Sequence, residues 1–173
     1  MKNIAVLVWI ALITSCSPIY VNYDYDKGTD FSRYKTYNYY SDMKPGLTEL
    51  DTKRLLDALD NEMSMNGFVL AENPDFFIDI KSSEFQPVPR SNLGFGVGGG
   101  GGNVGGGVTI GIPVGQATIS RHIIFEFVDE KGKGLFWQAI SESAFNPNAE
   151  PEKREAQMKA IVEKVLSKYP PKK

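Results

Sequence analysis

The sequence predicts an α+β fold, a two-layer sandwich in which a mainly antiparallel sheet of about four principal strands carries two helices on one face. Three observations lead there. Thr48 to Asn66 and Pro151 to Tyr169 repeat apolar residues at helical spacing, several other segments alternate apolar and polar residues with period two, and the chain suits one core of ordinary size, having 173 residues of which 42% are hydrophobic and 23% charged. Each helix has a single apolar stripe, so each needs cover on one side only, and one sheet face supplies it for both.

The chain opens with Met1-Lys2-Asn3, one positive charge ahead of an apolar run from Ile4 to Ile13. That run is too short to span a bilayer, since a spanning helix needs about 20 residues, and residues 1–15 therefore read as a secretory signal removed on export. Ile13-Thr14-Ser15-Cys16 resembles the bacterial lipobox, whose cysteine becomes the acylated N-terminus. The resemblance implies lipid attachment at Cys16; the plainer alternative is a free thiol behind an ordinary signal peptide. Several acyl chains would hold the protein durably in a membrane, where one alone is marginal. Ser17 stands where an aspartate would resemble an inner-membrane retention signal, and no acidic run follows. By that resemblance the address is the outer membrane, periplasmic face. Residues 16–18 are then the lipidated cysteine and a short tether, and residues 19–173 a single α+β domain.

Within that domain Ile19, Val21, Tyr23 and Tyr25 alternate with Tyr20, Asn22 and Asp24 as a first strand. Asp26 to Asp30 makes a turn, and Tyr34 to Tyr40 reads as a second strand. Seven of the eight tyrosines fall between Tyr20 and Tyr40. They fit a half-buried sheet edge, or an aromatic platform for a glycan or peptide. Thr48 to Asn66 is the first helix: Thr48 caps it, Glu49 and Asp51 suit the positive end of its dipole, Leu55, Leu59 and Met63 make its stripe, and Gly67 stands past its end. Phe68 to Leu70 is extended, Asn73-Pro74 breaks it, and Phe76, Ile78 and Ile80 alternate as a strand. A long strand alternates Ile119, Arg121, Ile123, Phe125 and Phe127 with polar or smaller residues; Asp129 to Gly134 is a hairpin loop, and Leu135 to Ser143 returns. In the last helix, Met158, Ile161, Val162, Val165, Leu166 and Tyr169 form one face, with Pro151 in the first turn and Pro170 as the stop.

A glycine-rich insert, residues 91–117, interrupts this pattern. From Ser91 to Ser120 there is no formal charge, and Gly94 to Gly115 holds twelve of the seventeen glycines. Such a segment offers little side chain to bury against its conformational entropy, and reads as a mobile loop between strands. Gly94, Gly96 and Gly99 have a G-x-G-x-x-G spacing, but no helix pattern follows and no phosphate-binding lysine accompanies it. Val108, Ile110, Ile112 and Val114 alternate instead, as in a ribbon that pairs with a partner's edge or lies on lipid.

These motifs together resemble a bacterial lipoprotein family known as domain of unknown function 4136. The resemblance rests on the lipobox, "DFSRYKTYNYY" (Asp30 to Tyr40), an amphipathic helix, "NPDFFIDI" (Asn73 to Ile80), the glycine-rich insert and "IIFEFVDEKGKGLFWQAISES" (Ile123 to Ser143). Gln138 and Ala139 depart from the basic residue and glycine that the family pattern places after the tryptophan. The resemblance implies a periplasmic α+β lipoprotein and no known activity.

Composition removes several chemistries. A net charge of −2 gives no basic face for nucleic acid. One cysteine and one histidine cannot build an internal disulfide or a four-ligand Cys/His zinc site, and with Cys16 read as the lipid-attachment residue no Cys/His nucleophile pair is left. Ser120, His122 and Glu126 share a strand face, yet alternate residues stand ~6.5 Å apart and point in parallel, a poor catalytic geometry. Asp24, Asp26 and Asp30 with Gly28 suggest a calcium loop without the distal glutamate of an EF-hand. Glu126 and Glu142 could form a glycosidase pair only at the right separation. The sequence therefore predicts no catalytic, metal or cofactor site and no cofactor. It predicts a non-catalytic binding or assembly lipoprotein whose partners are the membrane, through its acyl chains, and an envelope protein or glycan. The alternatives are a structural lipoprotein self-associating through the glycine-rich tract, and a periplasmic hydrolase.

Overall fold

The computed structural model describes residues 18–86, 119–132 and 134–171. Its elements are β1 (Ile19–Tyr25), a 3-10 turn (Phe31–Arg33), β2 (Thr36–Tyr39), α1 (Glu49–Met65), β3 (Val69–Leu70), β4 (Phe76–Phe85), β5 (Ile119–Asp129), β6 (Gly134–Phe145) and α2 (Pro151–Leu166). The strands form one six-stranded sheet in the order β1-β6-β5-β4-β2-β3. Cys16 and the glycine-rich insert lie outside the described residues.

This corrects the predicted sheet of about four, mainly antiparallel strands. β1, β6, β5 and β4 are antiparallel in succession, while β2 runs parallel to both β4 and β3, so the sheet is mixed. The cause is α1. A strand that feeds a crossover helix comes back parallel to itself, and α1 stands between β2 and the β3 and β4 strands. β3 lies in the segment read as extended from Phe68 to Leu70, but with two residues it is too short for alternation to mark it as a strand of the sheet. β1 leaves its neighbour in sequence and pairs with β6 near the other end of the chain, a choice that local periodicity does not encode.

Alternation along the strands sorts the two faces. Phe76, Ile78 and Ile80 of β4, Ile123, Phe125 and Phe127 of β5 and Ala139 of β6 are buried against Leu55, Leu59 and Met63 of α1 and Met158, Ile161, Val162, Val165 and Leu166 of α2. The β5–β6 register shifts between Phe127 and Val128. An extra residue there lets Phe136 and Trp137, neighbours in sequence, both enter the core. Phe136 stacks on Tyr34 with centroids 4.2 Å apart, and Trp137, Phe127 and Tyr169 meet edge to face or tilted.

Local signals fix the helices. Thr48 Oγ1 accepts from the Asp51 N–H, a side-chain N-cap, and Gly67 follows the helix end at φ +84°, a conformation that side-chain-bearing residues resist. Pro151 occupies the first turn of α2. Contact between Asp51 and Arg154, both in first turns, places the two helix N-termini together.

Candidate functional site

That shared end of the fold concentrates buried charge. Ile19, Ser143, Arg121 and Glu84 stand opposite one another across β1, β6, β5 and β4, one row of the sheet. The chain therefore enters the sheet, leaves it after β4 and re-enters it at β5 within three strand spacings, about 15 Å. Both helices start above the same end.

An ion-pair network closes it. Asp51 is fully buried and accepts hydrogen bonds from Arg54 Nη1 at 2.9 Å, Arg121 Nη1 at 3.4 Å and Arg154 Nη2. Arg121 Nη2 donates to Glu84 Oε1 at 2.7 Å, and its guanidinium lies 3.4 Å from the centroid of the Phe145 ring. Burial pushes the Asp51 carboxyl upward, but the hydrogen bonds and charges of Arg154, Arg54 and Arg121 outweigh it and hold the group below its usual range. The sequence reading took Asp51 for a dipole residue and missed this network. A signal was present: Arg121 stands among Ile119, Ile123, Phe125 and Phe127 on an apolar strand face, and a buried guanidinium requires a buried anion.

The face of the sheet away from the helices is polar and half-exposed. Lys81 Nζ bridges Asp79 at 3.0 Å and Glu126 at 2.8 Å, and these two carboxylates raise its pKa. Gln138 Nε2 donates to the other oxygen of Glu126 at 2.8 Å. His122 Nε2 lies 3.3 Å from Glu142 Oε2, and its ring packs against Phe85 at 4.3 Å between centroids.

These contacts answer the sequence candidates. His122 faces Glu142, not Ser120 or Glu126, so the strand-face trio does not assemble as a relay. Glu126 lies opposite Gln138, four residues along β6 from Glu142, roughly 13 Å by strand rise, beyond the separation of a glycosidase pair. Asp24 accepts from the Tyr25 N–H, Asp26 from the Gly28 N–H, and Asp30 from the Ser32 N–H and hydroxyl, so each shapes its own turn. No cluster of three or more His, Cys, Asp or Glu suited to a metal ion occurs among the described residues.

The tyrosines divide by role. Tyr34 donates to Asp129 at 3.1 Å and is pushed up to about 12 by burial and by that carboxylate. Tyr37 and Tyr39 both donate to Asp60 Oδ1, at 2.8 and 2.6 Å, tying β2 to α1. Tyr20 and Tyr23 of β1 are the outward ones, 63% and 44% exposed. Between the outer sides of α1 and α2 lies an open hollow of about 750 Å³, lined by Leu50, Met65 and residues of both charges such as Lys53, Asp57, Lys159 and Glu163. None of these lining groups is buried, so nothing there presents a desolvated reactive group.

Comparison with solved structures finds the same fold in distant proteins. A PDZ domain protein from Parabacteroides distasonis aligns at a TM-score of 0.57 and 12% identity, over 97% of this chain and 40% of its own. The chain thus spans less than half of that protein. The PelC dodecamer from Paraburkholderia phytofirmans aligns at a TM-score of 0.51 and 12% identity, over 87% of this chain and 96% of its own. A PelC variant with methionine in place of a leucine gives 0.50 and 13%, over 86% and 96%. No curated protein matches. A family model described as Domain of unknown function (DUF4136) matches residues 21–171, nearly the whole described domain from β1 past α2, and the chain belongs to that family.

Proposed function

We propose that the chain is a lipid-anchored lipoprotein of the bacterial envelope, held by acyl chains on Cys16 at the periplasmic face of the outer membrane, where its domain is a non-catalytic binding or assembly module. The observation that carries this reading is the place of Ile19. It stands three residues beyond Cys16 and is already paired with Ser143 inside the sheet. Three extended residues reach about 10 Å, so an acylated Cys16 would hold this end of the sheet at the bilayer surface. The exit from β4 and the return at β5 lie in the same row as Ile19. PelC, which shares the fold, forms a dodecamer, and this favours assembly as the module's work, with envelope proteins or glycans as further partners.

Fractionation of Cys16→Ala tests the reading. The variant should leave the membrane fraction for the soluble periplasm while keeping the wild-type melting temperature. If it still pellets with membranes after salt and carbonate washing, acylation at Cys16 is not the anchor.

A further inference from the structure

We infer that the sheet face turned away from the helices docks a basic amphipathic helix of another envelope protein, whose basic residues bracket an apolar one. The inference rests on the binding reading above and names the partner's chemistry. α1 and α2 both pack on the opposite face, so no described helix covers this one. Its strand residues, Ser120 apart, are half-exposed or exposed. Cross-strand register sorts them into stripes. Ile140 of β6 stands opposite Ile124 of β5, an apolar pair in the middle of the face. Two residues along the strands in one direction, Glu142 stands opposite His122. Two residues along in the other, Gln138 lies between Glu126 of β5 and Asp24 of β1, and Asp79 of β4 extends the row. Acidic, apolar and acidic stripes thus follow one another at steps of about 6.6 Å. An apolar centre inside a charged rim is the layout of a protein-binding patch.

Charge selects the occupant. On the described strands this face carries four carboxylates, Asp24, Asp79, Glu126 and Glu142, against one ammonium, Lys81. Lys81 already bridges Asp79 and Glu126, which leaves Glu142 and Asp24 as the brackets open to a partner's cations. A second copy would bring the same carboxylates and meet like charge. Its helices do not supply the missing cations either, because Lys53 pairs with Asp57 and Lys159 with Glu163 on their own surfaces. Anionic lipid headgroups are repelled by the same field. Arginine or lysine from another protein gains charge-assisted bonds instead. A helix is the form that fits, since it satisfies its own backbone and can lie on a flat sheet face without leaving peptide groups unpaired. Residues four apart on one side of a helix rise about 6 Å, close to the step between stripes. Two basic residues eight apart then reach Glu142 and Asp24 while the apolar residue between them covers Ile140 and Ile124.

Fluorescence anisotropy of a labelled peptide tests it. The probe is an alanine-based helix with one leucine and an arginine four residues to either side, titrated against the full-length chain in detergent. It should bind, and less tightly as sodium chloride is raised. Replacing its arginines by glutamate, or its leucine by serine, should each weaken binding by about tenfold or more. Glu142→Gln combined with Asp24→Asn should weaken it as far while the melting temperature stays at the wild-type value. Leu50→Ser, on the outer side of α1, should leave binding unchanged. A glutamate or serine peptide that binds as well as the probe would overturn the match of stripes, as would binding that is indifferent to salt. Binding kept in the carboxylate variant but lost in Leu50→Ser would overturn the face. Chain dimers that exclude the probe would make a second copy the occupant and overturn the proposal. No binding at any concentration would overturn docking of a basic helix here and leave the anchor untouched. The Cys16→Ala chain should bind the probe as the wild type does, so a failed anchor and a failed docking face are told apart.

Discussion

Asp51, in the first turn of α1, and Arg121, near the start of β5, form an ion pair with both side chains almost wholly withdrawn from water. They are 70 residues apart in sequence. Arg154 joins from the first turn of α2, so one carboxylate gathers both helices and the sheet at the end where the chain enters it. Such a cluster adds little net stability over an apolar replacement, because desolvation offsets attraction, but losing one partner strands the others. It fixes how the helices sit over the row Ile19, Ser143, Arg121 and Glu84, and hence the shape of this end of the fold.

Asp51→Ala should therefore destabilise the protein by about 3 to 5 kcal/mol in urea unfolding, the range for breaking a buried pair. The pH dependence separates charge from packing. The folded carboxyl titrates below its unfolded value of about 3.9, so its contribution is fully present above that value and is lost as pH falls through the folded one. The stability gap between wild type and Asp51→Asn should close as pH falls from about 5 toward 2. A gap that stays constant over that range would mean that shape, not charge, holds the cluster.

What the sequence made legible follows from how each element encodes itself. α1 and α2 carry stripes every third and fourth residue, and β4, β5 and β6 alternate over enough positions to register. The mixed sheet escaped because parallel pairing of β2 with β4 is set by a crossover, not by a pattern inside either strand. The Asp51 cluster escaped because its members come from four separate elements, although two of them gave local hints: Arg121 is charged on an apolar strand face, and Asp51 stands four residues ahead of Leu55, Leu59 and Met63 on the buried stripe of α1. The turn carboxylates Asp24, Asp26 and Asp30 are ambiguous at the level of sequence, since side-chain bonds to nearby N–H groups use the same residues at the same spacing as a metal loop.

Phe125 tests the core. It is fully buried, opposite Ile80 on one side and Ala139 on the other. Phe125→Ala should cost about 3 to 5 kcal/mol, lost contact plus the cavity left behind. A loss below about 1 kcal/mol, the scale of surface changes, would place the ring outside the packed layer between sheet and helices.

The last prediction concerns the glycine-rich segment, whose ends the sheet defines. β4 and β5 remain paired as far as Phe85 and Ser120, which stand directly opposite each other. Residues 87–118 thus join two points that a tight hairpin turn could bridge. Closing a shorter loop changes the entropy by only about 0.6 kcal/mol per doubling of length. Replacing Gly94 to Gly107 with a short Gly/Ser linker should then leave the melting temperature nearly unchanged, while crosslinked partners in the envelope fall away if this segment meets them. Changing Ile110 and Ile112 to threonine probes the remaining apolar alternation separately. Two variants that keep every wild-type partner, with the shortened one melting far earlier, would make the segment a structural part of the domain, and the interaction surface would then have to be sought on the described sheet and helices alone.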